Sequence, residues 1–345
     1  MIIPLPHREC LRLGDAARSD LRILLLAKHA CSDGQKHEED GNHATYHHEL
    51  RETLRDIGLN VAVADRYDSL FERPEADFVI PLLNRGGFQN SEMLAPLLLA
   101  RHGIPFLGAS PIVRGLSDDK HLSKVAARHL GVETMDWQIH RRGGIVPAAP
   151  RFKWERLVVK PNASSASWGI RTLDNWAEAR AHIAWLHESG HDAIVEPWVP
   201  LIDIALPVVG GASGPWLLPP MAYLPDDPTQ LRSYEEKRAL VETSDDPLAP
   251  VLDPVLRARI EAQGRLLLTE LWPFDYGRFE FRYDPASGAL RFMEVNLSCN
   301  LWSRKTISRA AATLGVCHAA LVETIVAHSL ARQGVTAAER RRIAA

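Results

Sequence analysis

Two stretches in the last third of the chain alternate between apolar and polar residues. They run from Arg278 to Arg282 and from Phe292 to Asn296. An alternation of period two is typical of a strand that buries one of its faces. The segment between them, Asp-Pro-Ala-Ser-Gly at 284–288, consists of residues that favour turns. The pattern therefore predicts a β-hairpin.

The polar side chains of this hairpin predict a cluster of charges. Arg278 and Glu280 share one face of their strand, and Glu294 and Asn296 share one face of theirs. If the two faces coincide, two carboxylates, an amide oxygen and a guanidinium converge. Oxygen ligands of this kind suit Mg2+, and the arginine suits a phosphoryl oxyanion. The alternative is an exposed hairpin face that carries ordinary solvated charges.

Short apolar runs alternate with helical segments over about residues 20–115, which predicts a doubly wound α/β domain at 21–116. Residues 1–20 are predicted to form an irregular arm. The predicted strands are Arg22–Ala27, Asn60–Ala64, Asp77–Pro81 and Ile104–Leu107, and the predicted helices are Tyr46–Ile57 and Glu92–His102.

The remaining pattern is α+β in character and predicts a unit at 117–200, a larger unit at 201–332 and a tail at 333–345, in which residues 337–343 are predicted to be a frayed helix end. A segment rich in Pro, Asp and Ser, residues 226–250, predicts a long surface loop. The predicted strands are 156–160, 170–173, 193–196, 203–209 and 216–224, and the predicted helices are 118–130, 175–189, 254–271 and 317–331.

Composition excludes several classes of protein. Hydrophobic content of 46% and charged content of 24% are typical of a soluble globular chain. A net charge of -3 gives no basic surface for nucleic acid. The four cysteines form no CxxC pair, as in reduced cytosolic proteins. No apolar leader and no run near the roughly 18 apolar residues of a membrane span is present. These features predict a cytoplasmic protein without a membrane partner.

Two further segments have the chemistry of a nucleotide site. Lys160 ends an apolar strand and is followed by a loop of small residues up to Gly169, whose N–H groups can approach phosphate oxygens closely. Glu196 ends another strand, and Asp203 follows seven residues later. Carboxylates at this spacing, with backbone groups between them, suit adenine and ribose.

Taken in order, these elements resemble the ATP-grasp enzymes and, among them, the D-alanine–D-alanine ligase branch. The resemblance covers roughly residues 103–325, and the set is specific although each motif alone is weak. The matching motifs are Gly103–Ser110, Asp119-Lys120 with Lys124 and Gly131, Lys160–Gly169, Glu196–Asp203, Tyr234-Glu-Glu-Lys237, Gly277–Glu280 and Glu294–Ser298.

The resemblance implies an ATP-grasp fold, in which two α+β subdomains clasp ATP, and a role for each matching residue. Carboxylate and amine substrates, ATP, two Mg2+ ions that Mn2+ could replace, and a homodimer are implied as well. The implied ATP ligands are Lys120, Lys160, Ser165, Ser167, Glu196, Val199, Asp203 and Lys237; the metal ligands are Glu280, Glu294 and Asn296; the catalytic residues are Arg278, Lys237 and Asn300; and the substrate contacts are Trp168, Arg238, Arg304 and Lys305.

The chain departs from the branch at its substrate contacts. Lys305 stands where the branch has a serine for the second substrate's carboxylate, and Arg238 stands where it has a tyrosine. Residues 27–34 replace the branch's first-strand motif, Gly-Gly-x-Ser-x-Glu. We therefore predict a carboxylate–amine ligase that acts through an acyl phosphate on an amino-acid or peptide-like substrate. Specialised metabolism is expected, and ring closure within one molecule is one form of the reaction.

Three alternatives stay open at this stage: a true D-alanine–D-alanine ligase, an ATP-binding module without catalysis, and a small-molecule kinase. A second open question concerns five histidines between residues 29 and 48. They are His29, His37, His43, His47 and His48. Their spacing matches no known metal motif, so a loop that lines the acceptor site is weighed against a zinc site.

Overall fold

The computed structural model describes five segments of the chain. They are residues 8–83, 91–164, 167–224, 248–297 and 299–340. The boundaries of the predicted domains, at 21, 117, 201 and 333, stay predictions.

The N-terminal sheet consists of three parallel strands, as the alternating pattern predicts. Its order is β3-β2-β4, with β2 at Arg22–Leu26, β3 at Asn60–Ala64 and β4 at Phe78–Pro81. Helix α2 (His43–Asp56) connects the first two strands, and a 3-10 turn (Tyr67–Leu70) follows β3. Strand β2 is apolar because both of its faces are covered.

The strand predicted at 104–107 is wrong, since only one bridge, between Val79 and Phe106, forms there. The N–H of Val79 bonds to Pro105 O and the N–H of Leu107 bonds to Val79 O. Pro105 has no N–H to donate, which limits the ladder at this edge. A 3-10 turn (Ser91–Met93) and helix α3 (Leu94–His102) precede this bridge.

The N-terminal arm is not irregular as predicted. It contains strand β1 (Leu11–Leu13) and helix α1 (Asp15–Ser19), and β1 pairs in antiparallel register with β15 (Ala338–Arg340). Leu11 and Leu13 are buried, whereas the residue between them is exposed. The frayed helix end predicted at 337–343 is wrong as far as residue 340, because residues 338–340 form this strand; the rest lies outside the described residues.

The helix predicted at 118–130 is confirmed, with its start two residues later, and a second helix that was not predicted precedes it. Helix α4 (Pro111–Asp118) ends where Asp119 adopts an extended conformation, and helix α5 (Lys120–His129) begins directly after it. The carboxylate of Asp119 accepts the N–H of Leu122 at 2.8 Å. Aspartate at this position is a favourable N-cap, so the sequence encodes a new helix start inside the helical pattern.

The central sheet has the order β5-β8-β6-β7, and its paired strands are antiparallel. Helix α6 (Trp176–Glu188) packs on it and buries Ala179, Ile183 and Leu186. The strands are β5 (Gln138–His140), β6 (Leu157–Pro161), β7 (Arg171–Leu173) and β8 (Ala193–Pro197).

The C-terminal sheet carries the predicted hairpin, in the order β12-β11-β9-β13-β14, with β10 paired to β9. The strand predicted at 216–224 is two separate strands, β10 and β11. The strands are β9 (Ile202–Gly211), β10 (Gly214–Leu217), β11 (Met221–Tyr223), β12 (Leu248–Pro250), β13 (Tyr276–Tyr283) and β14 (Leu290–Asn296).

Helix α7 (Pro254–Leu271) lies close against this sheet. Gly264 makes the close approach possible, because a Cβ at this position would lie 2.3 Å from Leu206 Cδ2. Two more helices follow the hairpin, α8 (Thr306–Ala312) and α9 (His318–Arg332). None of the helices in the described segments is long and apolar enough to span a membrane.

A buried carboxylate joins the N-terminal unit to the hairpin. Asp275 is fully buried and accepts hydrogen bonds from the Gly108 N–H at 2.7 Å and from the Ser329 hydroxyl at 2.6 Å. Arg332 in α9 forms an ion pair with it at 2.9 Å. These contacts link the loop before α4, the base of β13 and helix α9.

Candidate active site

The two polar faces of the hairpin coincide. In the register of β13 and β14, Arg278 lies opposite Asn296 and Glu280 lies opposite Glu294. The register shifts immediately after Glu280. Irregularities of this kind redirect side chains and are frequent next to active sites. The predicted convergence of two carboxylates, an amide and a guanidinium is therefore confirmed at the level of strand register.

The arginine of the hairpin is held by its own strand. Arg278 Nε lies 2.6 Å from Glu280 Oε1, and both side chains are about one quarter exposed. Burial lowers the pKa of the Arg278 guanidinium, but the contact with Glu280 outweighs this effect and raises it. Arg278 therefore stays charged and faces the carboxylate pair.

Lys120 connects the hairpin with the loop that follows β6. Its Nζ donates a hydrogen bond to the Ser164 carbonyl at 2.8 Å and lies 3.4 Å from Glu294 Oε2. The lysine is 8% exposed, and the cap at Asp119 fixes the start of its helix. One cation therefore contacts both the predicted phosphate loop and a predicted metal ligand.

A buried ion triad lies beside this contact. The two carboxylate oxygens of Glu196 are each 2.7 Å from a lysine, Lys124 on one side and Lys160 on the other. The side chain of Glu196 is 3% exposed and that of Lys124 is fully buried. Burial raises the pKa of Glu196, but the charges of the two lysines outweigh it and lower the pKa to about 2.

The triad changes the interpretation of Glu196 and gives a contact to Lys124, a residue of a matching motif for which no role was predicted. Both oxygens of Glu196 already face lysine ammonium groups, so the contact that the resemblance implies with adenine stays a prediction. Lys124 has no role in the predicted site. Its signal in the sequence is its spacing of four residues from Lys120, which places both lysines on one face of α5.

The predicted ribose ligand is oriented by a neighbouring strand. Asp203 in β9 lies opposite Arg282 in β13, and its Oδ1 is 2.8 Å from Arg282 Nε. The Asp203 side chain is 51% exposed, so one side of the carboxylate is open to solvent. Val199 is half-buried in the connection between β8 and β9.

The loop after β6 has a strained backbone where it rejoins the central sheet. Ser167 has a φ of 63°, a left-handed conformation that is rare for a residue with a side chain. The next residue, Trp168, packs against Trp185 and His191 with ring centroids 5.5 and 4.8 Å away. These contacts anchor Trp168 to the central unit, and its predicted substrate contact stays a prediction. The predicted residues Ser165, Lys237 and Arg238 lie outside the described segments.

Residues 299–305, called the acceptor loop below, follow the hairpin and are fixed by helix α2. Glu49 accepts the indole N–H of Trp302 at 2.8 Å and the backbone N–H of Ser303 at 3.0 Å. The hydroxyl of Tyr46 accepts the N–H of Leu301 at 3.1 Å. Sequence reasoning missed Tyr46 and Glu49, since no local pattern links residues so far apart in the chain.

The acceptor loop presents a predicted catalytic residue, Asn300, and two predicted substrate contacts, Arg304 and Lys305, in different environments. Asn300 and Lys305 are half-buried, whereas Arg304 is exposed and its guanidinium carbon lies 5.8 Å from the centroid of the Trp302 ring. Cys299 is buried, and burial raises the pKa of its thiol to about 11. A thiol of that pKa is not a nucleophile at neutral pH, so Cys299 serves as a packing residue.

The described residues fit a magnesium nucleotide. The hairpin offers carboxylate and amide oxygens, which are the ligands that Mg2+ prefers. Lys120 and Arg278 lie against the two carboxylates and compensate their negative charge. Lysine ammonium groups and the loop after β6 supply positive charge and backbone donors for phosphate oxygens.

The fold and this arrangement define an ATP-grasp protein. A crystal structure of D-alanine–D-alanine ligase from Bacillus anthracis, complexed with ATP, superposes with a TM-score of 0.71, at 18% identity, over 91% of this chain and 99% of that chain. The VanG D-Ala:D-Ser ligase from Enterococcus faecalis superposes with a TM-score of 0.67, at 12% identity, over 90% of this chain and the whole of that chain.

Sequence comparison points to the same branch. A D-alanine–D-alanine ligase of Marinomonas is 24% identical over 295 residues, which is 83% of this chain and 90% of that protein. An uncharacterized protein of Sinorhizobium fredii, y4sG, is 29% identical over 246 residues, 68% of this chain and 69% of its own length. No family model matches the chain. The chain is therefore similar in sequence to D-alanine–D-alanine ligases and has the ATP-grasp fold.

Proposed function

We propose that this protein is an ADP-forming carboxylate–amine ligase. The observation that carries the proposal is the pairing of Glu280 with Glu294 across the hairpin, next to Lys120, which also contacts the loop after β6. This arrangement supports a metal-binding carboxylate pair beside a phosphate-binding loop. A non-catalytic ATP-binding module would not need the carboxylate pair.

The reaction proceeds in two displacements. A carboxylate oxygen of the first substrate attacks the γ-phosphorus of ATP, the bond to the β–γ bridging oxygen breaks, and ADP leaves. The amine nitrogen of the second substrate then attacks the acyl carbon, phosphate leaves, and the amine loses a proton. The products are an amide, ADP and inorganic phosphate.

The residues of the chain mainly position the substrates and neutralise their charge. These two effects are most of what phosphoryl transfer demands of a protein. Lys120 and Lys160 would bind ATP phosphates, Asp203 would bind ribose, and Arg278 would stabilise the phosphoryl group in transfer. Glu280, Glu294 and Asn296 would hold Mg2+, which would supply Lewis-acid stabilisation of phosphate charge. Mn2+ in place of Mg2+, a homodimer and a cytoplasmic location are part of the same proposal.

The substrate is proposed to differ from D-alanine. The acceptor loop carries Arg304 and Lys305, and the segment after β2 lacks the motif of the branch. Two cations favour an anionic amino-acid or peptide-like substrate of a different length. Such a substrate is expected in a specialised pathway. Ring closure within one molecule is one form of the reaction.

The function is tested by measuring ADP release with single amino acids, with pairs of amino acids and with short peptides. A ligase releases ADP and consumes amine in equal amounts, and the amide product is detected by mass spectrometry. ADP formation without amine consumption would indicate a kinase instead. ADP release with D-alanine alone would favour a second candidate, a D-alanine–D-alanine ligase, which the names of the relatives support.

Lys305 is expected to determine the affinity for the second substrate. Replacement of Lys305 by serine should raise the KM for that substrate at least about tenfold, or about 1.4 kcal/mol, and leave the KM for ATP almost unchanged. The same exchange at Lys153, an exposed lysine, provides the control. Steady-state kinetics with both substrates unaltered would remove Lys305 from the site.

A further inference from the structure

The loop between β2 and α2 brings two imidazoles and a carboxylate together. The possible ligand atoms of His29, His37 and Asp40 all lie within 4.8 Å of one another. We call these three residues the histidine cluster. His29 Nε2 is 2.9 Å from Asp40 Oδ2, and the rings of His29 and His37 have centroids 4.6 Å apart. The site proposed above for ATP uses none of these residues.

The backbone of this loop is built to hold the cluster. His37 and Gly41 exchange two backbone hydrogen bonds, of 2.9 and 2.8 Å, which close a tight turn. Gly41 has a φ of 55°, which glycine adopts without strain. The turn places His37 and Asp40 near each other, and the Asp40 side chain is only 8% exposed. A carboxylate that is this buried requires a cationic partner.

We propose that the histidine cluster binds one divalent transition-metal ion, with Zn2+ as its best fit. Imidazole nitrogens and one carboxylate are ligands that zinc accepts, with an open position for water. Mg2+ prefers oxygen ligands, so the two metal sites of the chain would differ in chemistry. Ligands of a tetrahedral Zn2+ lie about 3.3 Å apart, so side-chain rotations that close about 1.5 Å would complete the site.

In this structure Lys28 supplies the positive charge next to Asp40 that a bound metal ion would supply. Its ammonium contacts the Asp40 carboxylate, and its side chain is 61% exposed. The lysine can turn into solvent because its own side chain is largely exposed, and the metal ion then replaces it as the cationic partner of the buried Asp40. Metal binding is therefore a competition between Zn2+ and the ammonium of Lys28 for Asp40.

Metal binding also costs free energy at His37, because the hydrogen bonds of its ring have to change. Its Nδ1 accepts the backbone N–H groups of Glu39 and Asp40 at 3.2 and 3.3 Å, so the neutral ring carries its proton on Nε2. Coordination through Nε2 moves that proton to Nδ1, and coordination through Nδ1 displaces the two N–H groups. Both contacts are long, so the cost is modest.

The test is titration of the full chain with Zn2+ and with Co2+ after treatment with a chelator, in a large excess of Mg2+ that keeps the oxygen-rich site occupied. One equivalent of Zn2+ is expected to bind in calorimetry and to raise the melting temperature, and Co2+ should give visible absorption bands. Replacement of His37 by alanine should weaken binding at least about tenfold. Replacement of Lys28 by methionine should tighten it about threefold or more, since the competing cation is removed.

Matched variants separate this site from others. His129→Ala, at an exposed position in α5, and Cys31→Ser, at an exposed thiol outside the cluster, should both bind Zn2+ as the unmodified chain does. Asp40→Asn provides a second loss variant, whose fold is checked by circular dichroism. Absence of saturable binding, or binding that the His37 and Lys28 variants leave unchanged, would overturn the proposal. These readouts do not depend on ligase activity, so the proposed function can fail while the metal site stands.

Discussion

Replacement of Glu294 by glutamine should abolish turnover while the fold stays intact. Glu294 lies opposite Glu280 and 3.4 Å from Lys120, so its carboxylate is shared between the predicted metal site and a phosphate-binding cation. Glutamine keeps the shape of the side chain but removes its negative charge and one of its two oxygen ligands, so the site loses charge that Mg2+ needs. The rate of ADP release should fall by several orders of magnitude.

The matched control is Glu188→Gln, an exchange of the same type at an exposed position in α6. It should retain full activity. The melting temperature of the Glu294 variant should remain close to that of the unmodified chain, because the side chain is 30% exposed and not part of the core. A Glu294 variant with more than about a tenth of the original rate would contradict the metal assignment.

Replacement of Glu196 by glutamine should produce the largest loss of stability. The ion triad carries one negative and two positive charges in a buried place, and glutamine leaves Lys124 and Lys160 facing each other without the carboxylate. Breaking a buried ion pair by removing one partner costs about 3–5 kcal/mol. We expect the free energy of unfolding, measured in urea at neutral pH, to fall by about 3 kcal/mol or more.

The pH dependence of this loss has a defined direction. The pKa of Glu196 is lowered from 4.5 to about 2 in the folded chain, so its contribution is complete above about pH 4.5 and is lost as the pH falls towards 2. The unmodified chain and the glutamine variant should therefore converge in stability across that window. A difference that does not change between pH 5 and pH 2.5 would contradict the role of charge.

Lys124→Met is expected to cost less than Glu196→Gln, because Lys160 still faces the carboxylate after the exchange. Lys153→Met, at an exposed position, is the control and should leave stability nearly unchanged. An equal loss in the Lys124 and Glu196 variants would show that packing rather than charge dominates the triad.

The local patterns of the sequence predicted the hairpin well. Alternation in 278–282 and 292–296 depends only on neighbouring residues, and the turn between them is encoded by its own residues. Arg278 and Glu294 could therefore be placed before the structure was known. The predicted strand at 104–107 failed because a short apolar run does not reveal whether its backbone can extend a ladder, and Pro105 prevents that.

Contacts between distant segments were beyond the reach of pattern analysis. Leu11 and Leu13 alternate over only three residues, too few to predict a strand whose partner lies at the other end of the chain. Lys124 belongs to a matching motif that assigns it no role, and only the contact of α5 with β8 shows that it faces Glu196. Glu49 likewise gained a role only through its contacts with Trp302 and Ser303.

Hydrogen bonds from the acceptor loop to α2 affect any attempt to transfer substrate specificity from one ligase to another. Glu49 and Trp302 are 253 residues apart, yet the loop conformation depends on both. A loop transplanted from another ligase would arrive without its own helix and would leave the Glu49 carboxylate without the two N–H donors that it binds here. Chimaeras that carry α2 and the acceptor loop together should inherit substrate preference, whereas those that carry the loop alone should not. Substrate specificity would thus be transferred by two segments together, α2 and the acceptor loop, rather than by the loop alone.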